Sequence, residues 1–487
     1  MHSRILLTTG LLALPCLSYG ATTCEYANNI ENATEFALSY GFPLYPFRNS
    51  TIEIMIEANG TNKFYHATQL ADPTFNQVVS PNVDTLYSAA VIDLSHHDII
   101  LELPEVNDRY YVFALYDVWG DNYLNMGTTS KSAAGKYRIR FSPSTTEAGL
   151  HLCSSVESKH GNNSECDGLQ GVIDAVTPYG SMQPRYAVNS GDAEELEIIQ
   201  SYQNQSSLTK VPKSQGGCSA IPAITMRLLN STLSSDIATQ VMQLTSRIAP
   251  YSPARNSSDQ SCVDANLKAA GIEHGKYEPQ AGQEVEYSFN VTQHQMSIVA
   301  SSPVNSMSLG NNWTALQSSV QGDFGTNYLL REYVATTGYL MLKQSEALYP
   351  RYSTGDLSLS ANEAYVFTFE SKPPLIDKGF WSLTAYNAEH FLISNDEDVY
   401  SRGSNSNITY SDGTLIYGDN DHTERTFQLL IQPDSVKPPS NWTSNWIPAP
   451  ADGGDISLIL RVYGPADGVT NGTWKAPLVT KQNAITA

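Results

Sequence analysis

The sequence is short of positive charge. It contains 28 Lys and Arg residues against 49 Asp and Glu residues, and its net charge at pH 7 is −21. An acidic surface of this kind repels phosphate backbones and anionic lipid headgroups. The charge balance therefore argues against nucleic acids and membrane surfaces as partners, and leaves a small molecule or a glycan.

The common catalytic and cofactor-binding motifs are also absent. The sequence has no Gly-x-Ser-x-Gly, no His-Glu-x-x-His, no Walker loop and no Gly-x-Gly-x-x-Gly. These absences exclude nucleotide-driven and Rossmann-type chemistry, and no cofactor is predicted. The six cysteines lack the close-set pairs of a zinc site, so no metal is predicted either.

The N-terminus has the pattern of an export signal. Arg4 precedes an apolar run over residues 5–17, and small residues at 18–21 provide a cleavage point. The run is shorter than the roughly 20 apolar residues that a membrane-spanning helix needs, and no later run is long enough. We predict a signal peptide over residues 1–20, a secreted protein, and no membrane insertion after the signal is removed.

Glycosylation sequons are spread along the whole chain, as a secreted protein would have them. The sequon asparagines are Asn32, Asn49, Asn59, Asn162, Asn204, Asn230, Asn256, Asn290, Asn312, Asn407, Asn441 and Asn471. A dozen sequons behind an export signal predict a glycoprotein. Asn312 and Asn441 each precede a tryptophan, so these two are expected to be buried and unused.

The cysteines predict disulfides. Cys16 lies in the signal, which leaves five in an oxidising compartment. Cys153 and Cys166 flank a Gly/Asn-rich loop and are predicted to pair. Cys218 with Cys262 is the next predicted pair, and the remaining cysteine lies near the mature N-terminus.

Strand and helix patterns occur in blocks. Short strand signals separated by Asn, Asp, Gly and Pro run from residue 88 to residue 176, which favours a β-sandwich or jelly roll. From residue 192 the apolar period becomes helical, and residues 323–347 predict the longest helix. Strand signals return after Pro350.

These blocks predict an α+β fold that is predominantly β. Two β-sandwich, jelly-roll-like domains are expected at residues 21–210 and 351–487. A mainly helical segment at residues 211–350 is expected to join them. The oligomeric state stays open.

Long motifs in both halves carry a family resemblance. They are residues 40–43 (YGFP), 82–87 (NVDTLY), 108–111 (DRYY), 119–122 (WGDN), Arg185, 381–384 (WSLT), 445–450 (NWIPAP) and 460–463 (LRVY). With these motifs the chain resembles secreted and periplasmic proteins that couple domain of unknown function 1254 to domain of unknown function 1214. The resemblance implies the fold and the compartment, but no reaction.

Acidic residues in neighbouring motif turns form the best catalytic candidate, namely Asp84, Asp117 and Asp121. Polar and aromatic neighbours are the candidate ligand-binding residues Asn82, Tyr87, Tyr116, Trp119 and Asn122. Paired carboxylates beside aromatic rings suit sugar hydrolysis, because one can be held protonated while rings stack on the sugar. The alternative is that the carboxylates accept backbone N–H bonds in turns while the rings pack.

A second candidate lies in the C-terminal half, where aromatic residues surround one arginine. The set is Trp381, Tyr386, Trp446, Arg461, Tyr463 and Trp474. Such an aromatic shelf with a cationic fork suits a glycan or a planar ligand. The alternative is that the rings fill the core and the arginine pairs with a carboxylate.

Three functions remain open from the sequence. The protein binds, and in a stronger version processes, a carbohydrate or another small extracellular molecule; or it is a hydrolase with Asp117 or Asp121 as acid/base; or it is a non-catalytic surface or assembly protein. The first two predict a pocket where Asp84, Tyr87, Asp117 and Asp121 converge. The third predicts that those side chains are satisfied and closed to solvent.

Overall fold

The computed structural model describes residues 29–74, 80–142, 149–156, 166–190, 192–214, 220–355, 357–418 and 425–486. The predicted signal peptide, Cys218 and the sequon residue Asn162 lie outside these ranges.

Two five-stranded sheets form the N-terminal part. Their strands are β1 (Tyr65–His66), β2 (Thr85–Asp93), β3 (Asp98–Leu103), β4 (Tyr111–Asp117), β5 (Asn122–Gly127), β6 (Gly135–Phe141), β7 (Gly149–Leu152), β8 (Gly171–Ala175), β9 (Tyr179–Ala187) and β10 (Ser207–Val211). The first sheet has the order β1-β2-β9-β4-β5 and the second has the order β10-β3-β6-β8-β7. Strands β6 and β8 are parallel, and their neighbours pair antiparallel.

Strand β4 is mostly apolar up to its last residue, Asp117, because both of its faces are buried. Phe113 and Leu115 face a core that they share with Ile99 and Ile139 of the second sheet. The intervening residues, Tyr116 among them, face the C-terminal part of the chain. Since side chains alternate along a strand, this one strand joins two cores.

Helices cover the other side of the N-terminal part. The α-helices of the structure are α1 (Ile30–Gly41), α2 (Leu44–Glu57), α3 (Cys153–Val156), α4 (Ala193–Gln205), α5 (Met226–Asn230), α6 (Ile237–Ile248), α7 (Gln260–Ala269), α8 (Val285–Ser301), α9 (Tyr328–Thr337) and α10 (Asp467–Thr470). In α6, buried Ala238, Val241, Met242 and Thr245 recur at helical spacing. They pack in a core with α1, α2, α7 and α9, so the middle of the chain is helical as predicted.

The long helix predicted over residues 323–347 is wrong in its length. Helix α9 ends at Thr337, and Gly338 follows it with non-helical dihedral angles. Beyond the helix, Leu340 and Leu342 are buried against β4. Their apolar spacing reflects this second packing surface and not a continuing helix.

Two further sheets form the C-terminal part. The remaining strands are β11 (Ile272–Glu273), β12 (Lys276–Tyr277), β13 (Ser306–Ser308), β14 (Trp313–Leu316), β15 (Ala347–Leu348), β16 (Arg351–Tyr352), β17 (Leu357–Ser360), β18 (Glu363–Phe369), β19 (Leu375–Asn387), β20 (Ser401–Gly403), β21 (Phe427–Pro433), β22 (Trp446–Ala449), β23 (Gly453–Pro465) and β24 (Leu478–Asn483). The larger sheet has the order β15-β23-β19-β20 with β17 beside β23, and the other has the order β22-β21-β18-β24. Strands β13, β14 and β16 form a small sheet, and β11 pairs with β12.

The two C-terminal sheets also share one apolar core. Trp381 and Leu460 of the larger sheet and Leu429 of the other sheet belong to it. Phe369 stacks on Phe427 with ring centroids 4.6 Å apart. The fold is therefore a mixed α and β fold with many sheets and a helical region in the middle of the chain.

A disulfide joins Cys153 and Cys166, the pair predicted from the sequence. The second predicted pairing, of Cys262, is untested because Cys218 lies outside the described ranges. Within those ranges no helix is long and apolar enough to cross a bilayer.

Candidate functional site

The loop at residues 80–84 connects the two halves of the molecule. The Asn82 side chain accepts the Asp84 N–H at 2.7 Å and donates to the Tyr463 hydroxyl on β23 at 2.7 Å. The Asp84 carboxylate accepts hydrogen bonds from Ser382 on β19 and, at 2.9 Å, from Ser401 on β20. The motif 82–87 is therefore part of a domain interface.

Aromatic rings extend this interface. Tyr110 lies against Phe380 and Tyr463, with ring centroids 5.8 and 5.6 Å away, and its hydroxyl donates to the Glu346 carboxylate at 3.0 Å. Phe380 and Tyr463 stack at 4.6 Å. The sequence tracts that carry the family motifs therefore face each other across one interface.

A cavity of about 840 Å³ lies beside this interface. Strands β2 and β9 line one side of it, the end of α9 and the chain that follows line another, and β23 lines the C-terminal side. The convergent polar side chains are Tyr87, Arg185, Tyr349, Arg461 and Tyr463. Its volume is in the range of small-molecule sites.

Arg185, on β9, is 6% exposed and makes hydrogen bonds to neutral oxygens only. Its guanidinium donates at 3.1 Å to both the Gln183 side chain and the Leu340 carbonyl, and lies 5.2 Å from the Tyr87 ring centroid. Burial alone would lower the pKa of Arg185, but the surrounding tyrosine hydroxyls raise it well above its ordinary value. The side chain therefore stays charged.

Arg461, on β23, is 5% exposed and has the same character. It donates to the Tyr386 hydroxyl at 2.8 Å and, at 3.0 Å each, to the Ser80 carbonyl and the Thr384 hydroxyl. Among the described residues, no carboxylate forms an ion pair with Arg461 or Arg185. Burial alone would lower the pKa of Arg461, but Tyr386, Tyr463 and the Asp84 carboxylate raise it. In the part of the chain that the structure describes, the cavity wall thus holds two buried cations that form no direct ion pair.

The Tyr87 phenol differs from the other cavity tyrosines. Burial alone would raise the pKa of Tyr87, but Arg185, Thr85, Arg461 and Asn82 together hold it below its ordinary value. Burial raises the pKa of Tyr349 and of Tyr463, so these remain neutral hydroxyl donors. The two guanidinium groups therefore act on one shared phenol.

The acidic cluster predicted from the sequence is closed. Asp117 and Asp121 are 1% and 0% exposed, and neither lines the cavity. Asp117 accepts the N–H groups of Trp119 and Asp121 at 2.9 and 3.0 Å, and Asp121 accepts the Phe324 N–H at 2.7 Å and an Arg331 N–H at 3.4 Å. Burial is the main reason that the pKa values of both carboxyls are raised. The predicted turn-stabilising role fits these contacts.

The structure therefore does not bring the predicted catalytic and ligand-binding residues together in one site. Asn82 and Tyr87 line the cavity, and Asp84 lies in the loop beside it, so Asp84, Tyr87, Asp117 and Asp121 do not converge on one pocket. The remaining candidates hold the structure together. Tyr116 donates to the Leu340 carbonyl at 2.7 Å, Trp119 lies 4.5 Å from the Tyr40 ring, and Asn122 accepts the Lys343 N–H at 3.0 Å.

The predicted aromatic shelf separates in the same way. Arg461 and Tyr463 line the cavity, and Tyr386 positions Arg461. The tryptophans are buried in the C-terminal cores: Trp381, Trp446 and Trp474.

Sequence reasoning missed Arg185 as a site residue, although an arginine in a strand without a nearby carboxylate is a usable signal. Within the described residues, no group of His, Cys, Asp and Glu side chains could hold a metal ion.

Fold and site define a two-domain protein with a cationic cavity at its domain interface. Residues 61–210 match the family described as protein of unknown function DUF1254, and residues 346–467 match that described as protein of unknown function DUF1214. The chain belongs to the proteins that combine these two domains in this order. No match was found among curated proteins.

The chain is similar to solved structures, one of which shares its fold. The VPA0106 protein from Vibrio parahaemolyticus is 14% identical, with a TM-score of 0.60 over 93% of this chain and 100% of its own. A putative uncharacterized protein from Burkholderia cenocepacia is 10% identical, with a TM-score of 0.41 over 94% of this chain and 96% of its own. The Vibrio structure supports the fold alone.

The link between Asp84 and the C-terminal domain predicts a coupling energy. In a double-mutant cycle, Asp84→Asn and Ser401→Ala should be coupled by about 1 to 3 kcal/mol, because they share a hydrogen bond to a carboxylate. Urea unfolding of the four proteins measures this. Ser457→Ala in place of Ser401→Ala is the control and should be additive; coupling near zero for Asp84 and Ser401 would contradict the link.

The buried Asp117 carboxyl predicts a pH dependence of stability. Its pKa is raised from an ordinary 3.8 to about 8, so between these values the folded state holds a proton that the unfolded state releases. The contribution of Asp117 to the free energy of unfolding is therefore fully present below about pH 4. It is lost as the pH rises towards 8, and the free energy of unfolding falls by up to about 1.4 kcal/mol per pH unit.

In urea unfolding at pH 5 to 8, the free energy of unfolding of Asp117→Asn should depend less on pH than that of the wild type, because the amide does not titrate. The exposed Asp455→Asn changes the same formal charge and should keep the wild-type slope. An unchanged slope in Asp117→Asn would show that this carboxyl is not its source.

Proposed function

We propose that the protein binds a small organic molecule in the cavity between its two domains. The observation that carries this proposal is the convergence of Tyr87, Arg185 and Arg461, from both domains, on one cavity of about 840 Å³. Concave sites of this volume with a few convergent polar groups are typical of small-molecule binding.

The alternatives fit less well. A hydrolase with Asp117 or Asp121 as acid/base needs a carboxyl within reach of its substrate, and both are sealed in the interior. A purely structural protein agrees with the buried Asp117 and Asp121 side chains but does not explain the charged cavity. We therefore favour binding, with any processing left to groups that line the cavity.

We also propose that the protein is a secreted glycoprotein. Of the sequon asparagines in the described ranges, Asn49 is half-buried and the others are exposed. Asn312 and Asn441 are exposed too, so the expectation that they are buried is wrong. None of these asparagines lines the cavity, and the disulfide supports an oxidising compartment.

We further propose that each pair of large sheets is a β-sandwich of the jelly-roll kind. The shared apolar core of each pair supports this. Chain order also supports it in the N-terminal part, because β2 and β3 follow each other but lie in different sheets.

Filling the cavity tests the binding proposal. Ile459, on β23, lines the cavity, and Ile459→Trp should abolish binding by occupying the ligand's volume. Thermal shifts with sugars, amino acids, esters, carboxylic acids and their neutral amides identify binders of the wild type. Their dissociation constants are then compared between variants.

Asp455→Trp is the matched control. Asp455 lies four residues earlier on the same strand, is exposed, and is outside the cavity lining, so its variant should bind like the wild type. Equal affinity of Ile459→Trp and wild type for every binder, or no binder at all, would contradict the proposal.

A further inference from the structure

The cavity is lined by positive charge, although the chain as a whole is strongly negative. Three arginines line it, Arg185, Arg351 and Arg461, whereas Asp72 is its only carboxylate among the described lining residues and is exposed. The whole chain has 28 basic against 49 acidic residues. A cationic patch in such a protein is therefore a local feature of the site and not of the composition.

The two buried arginines are energetically costly as they stand. A guanidinium taken out of water loses hydration, and neutral acceptors replace only part of it. Arg185 has its Nε buried without a hydrogen-bond partner, and its other donors contact only carbonyl, amide and hydroxyl oxygens. An anion in the cavity would offset this cost.

The remaining polar groups also suit an anion. Tyr349 and Tyr463 are neutral hydroxyl donors, and Arg351, which donates to the Tyr333 hydroxyl at 2.6 Å, adds a third positive charge at the wall. The arginine fork matches a carboxylate through two parallel hydrogen bonds. The wall thus offers many donors and little negative charge.

We infer that the ligand is a small organic carboxylate with an apolar body, whose carboxylate is bound by Arg185 and Arg461. This inference rests on the binding function proposed above and names its ligand class. Ala335, Leu340 and Ile459 supply apolar lining for the body of the ligand. No lysine is among the described lining residues, so the positive charge of the wall comes from planar guanidinium groups, whose fork matches a carboxylate.

A neutral glycan fits the cavity less well. The described lining holds tyrosine rings but no tryptophan, whose larger face is a common platform for sugar rings. A neutral ligand would also leave the Arg185 guanidinium without an anion.

Calorimetric titration of the full-length protein tests the ligand class. The probes are benzoate and hexanoate, their neutral amides benzamide and hexanamide, and phenyl phosphate. We expect the carboxylates to bind the wild type at least about 10-fold more tightly than the amides, because the amides lack the negative charge that the arginines would pair with. Phenyl phosphate tests whether a dianion is preferred, and we expect it to bind no more tightly than the carboxylates.

Arginine variants locate the interaction. Arg185→Met and Arg461→Met should each weaken carboxylate binding about 10- to 100-fold, the value of a hydrogen bond to a charged group. Arg402→Met is the matched control, since Arg402 bonds to the Trp446 and Thr443 carbonyls outside the cavity and its variant should bind like the wild type. Arg461→Lys keeps the charge without the fork and should bind with intermediate affinity.

The outcomes separate the inference from the proposed function. Neutral probes that bind the wild type and fail with Ile459→Trp, while carboxylates do not bind, would overturn the ligand class and leave the binding site standing. Tighter binding of phenyl phosphate, or equal carboxylate binding by folded Arg185→Met and Arg461→Met, would also overturn the class. Binding of no probe, or binding unaffected by Ile459→Trp, would overturn both.

Discussion

The rest of the structure depends on the hydrogen bonds between the loop at residues 80–84 and the C-terminal domain. Asn82 and Asp84 bond to groups on β19, β20 and β23, which lie about 300 or more positions away in the sequence. These contacts fix the distance between the two sheets that line the cavity. Because Ser80 offers its carbonyl to Arg461, the same loop also positions one of the two buried cations.

The cavity arginines and the acidic pair show two opposite arrangements of buried charge. Arg185 and Arg461 could have been apolar residues, which often stabilise a buried position as well as an ion pair does. Both are instead held by hydroxyl and carbonyl groups that keep them charged and in place. The acidic pair Asp117 and Asp121 shows the opposite arrangement, since Asp121 contacts Arg331 and is sealed from solvent. The first pair suits a ligand, and the second stabilises the junction of sheet and helices.

Local patterns predicted much of the fold. Strand β6 begins and ends where its alternating sequence indicates, and the helical middle segment follows from its apolar spacing. Strand β9 was missed although β2 and β4 pair with it on either side. Its sequence contains Gly180, Pro184 and Arg185, which argue against a central strand, and only the interface explains the arginine.

The site could be predicted only in halves. Tyr87 belonged to the N-terminal candidate site and Arg461 to the C-terminal one. The sequence does not show that residues of these two sites lie together in the folded protein. Asn82 and Tyr463 are 381 positions apart and bond directly. The acidic cluster was a sound local grouping, since Asp117 and Asp121 do lie together, but burial and not composition decides whether a carboxyl reaches a ligand.

A crystal structure with 4-bromobenzoate tests the central claim most directly, because bromine is located by its anomalous scattering. We expect the bromine inside the cavity, with the carboxylate oxygens about 3 Å from the guanidinium nitrogens of Arg185 and Arg461. Bromine found only on the outer surface, or protein carboxylates paired with both guanidinium groups, would contradict the account.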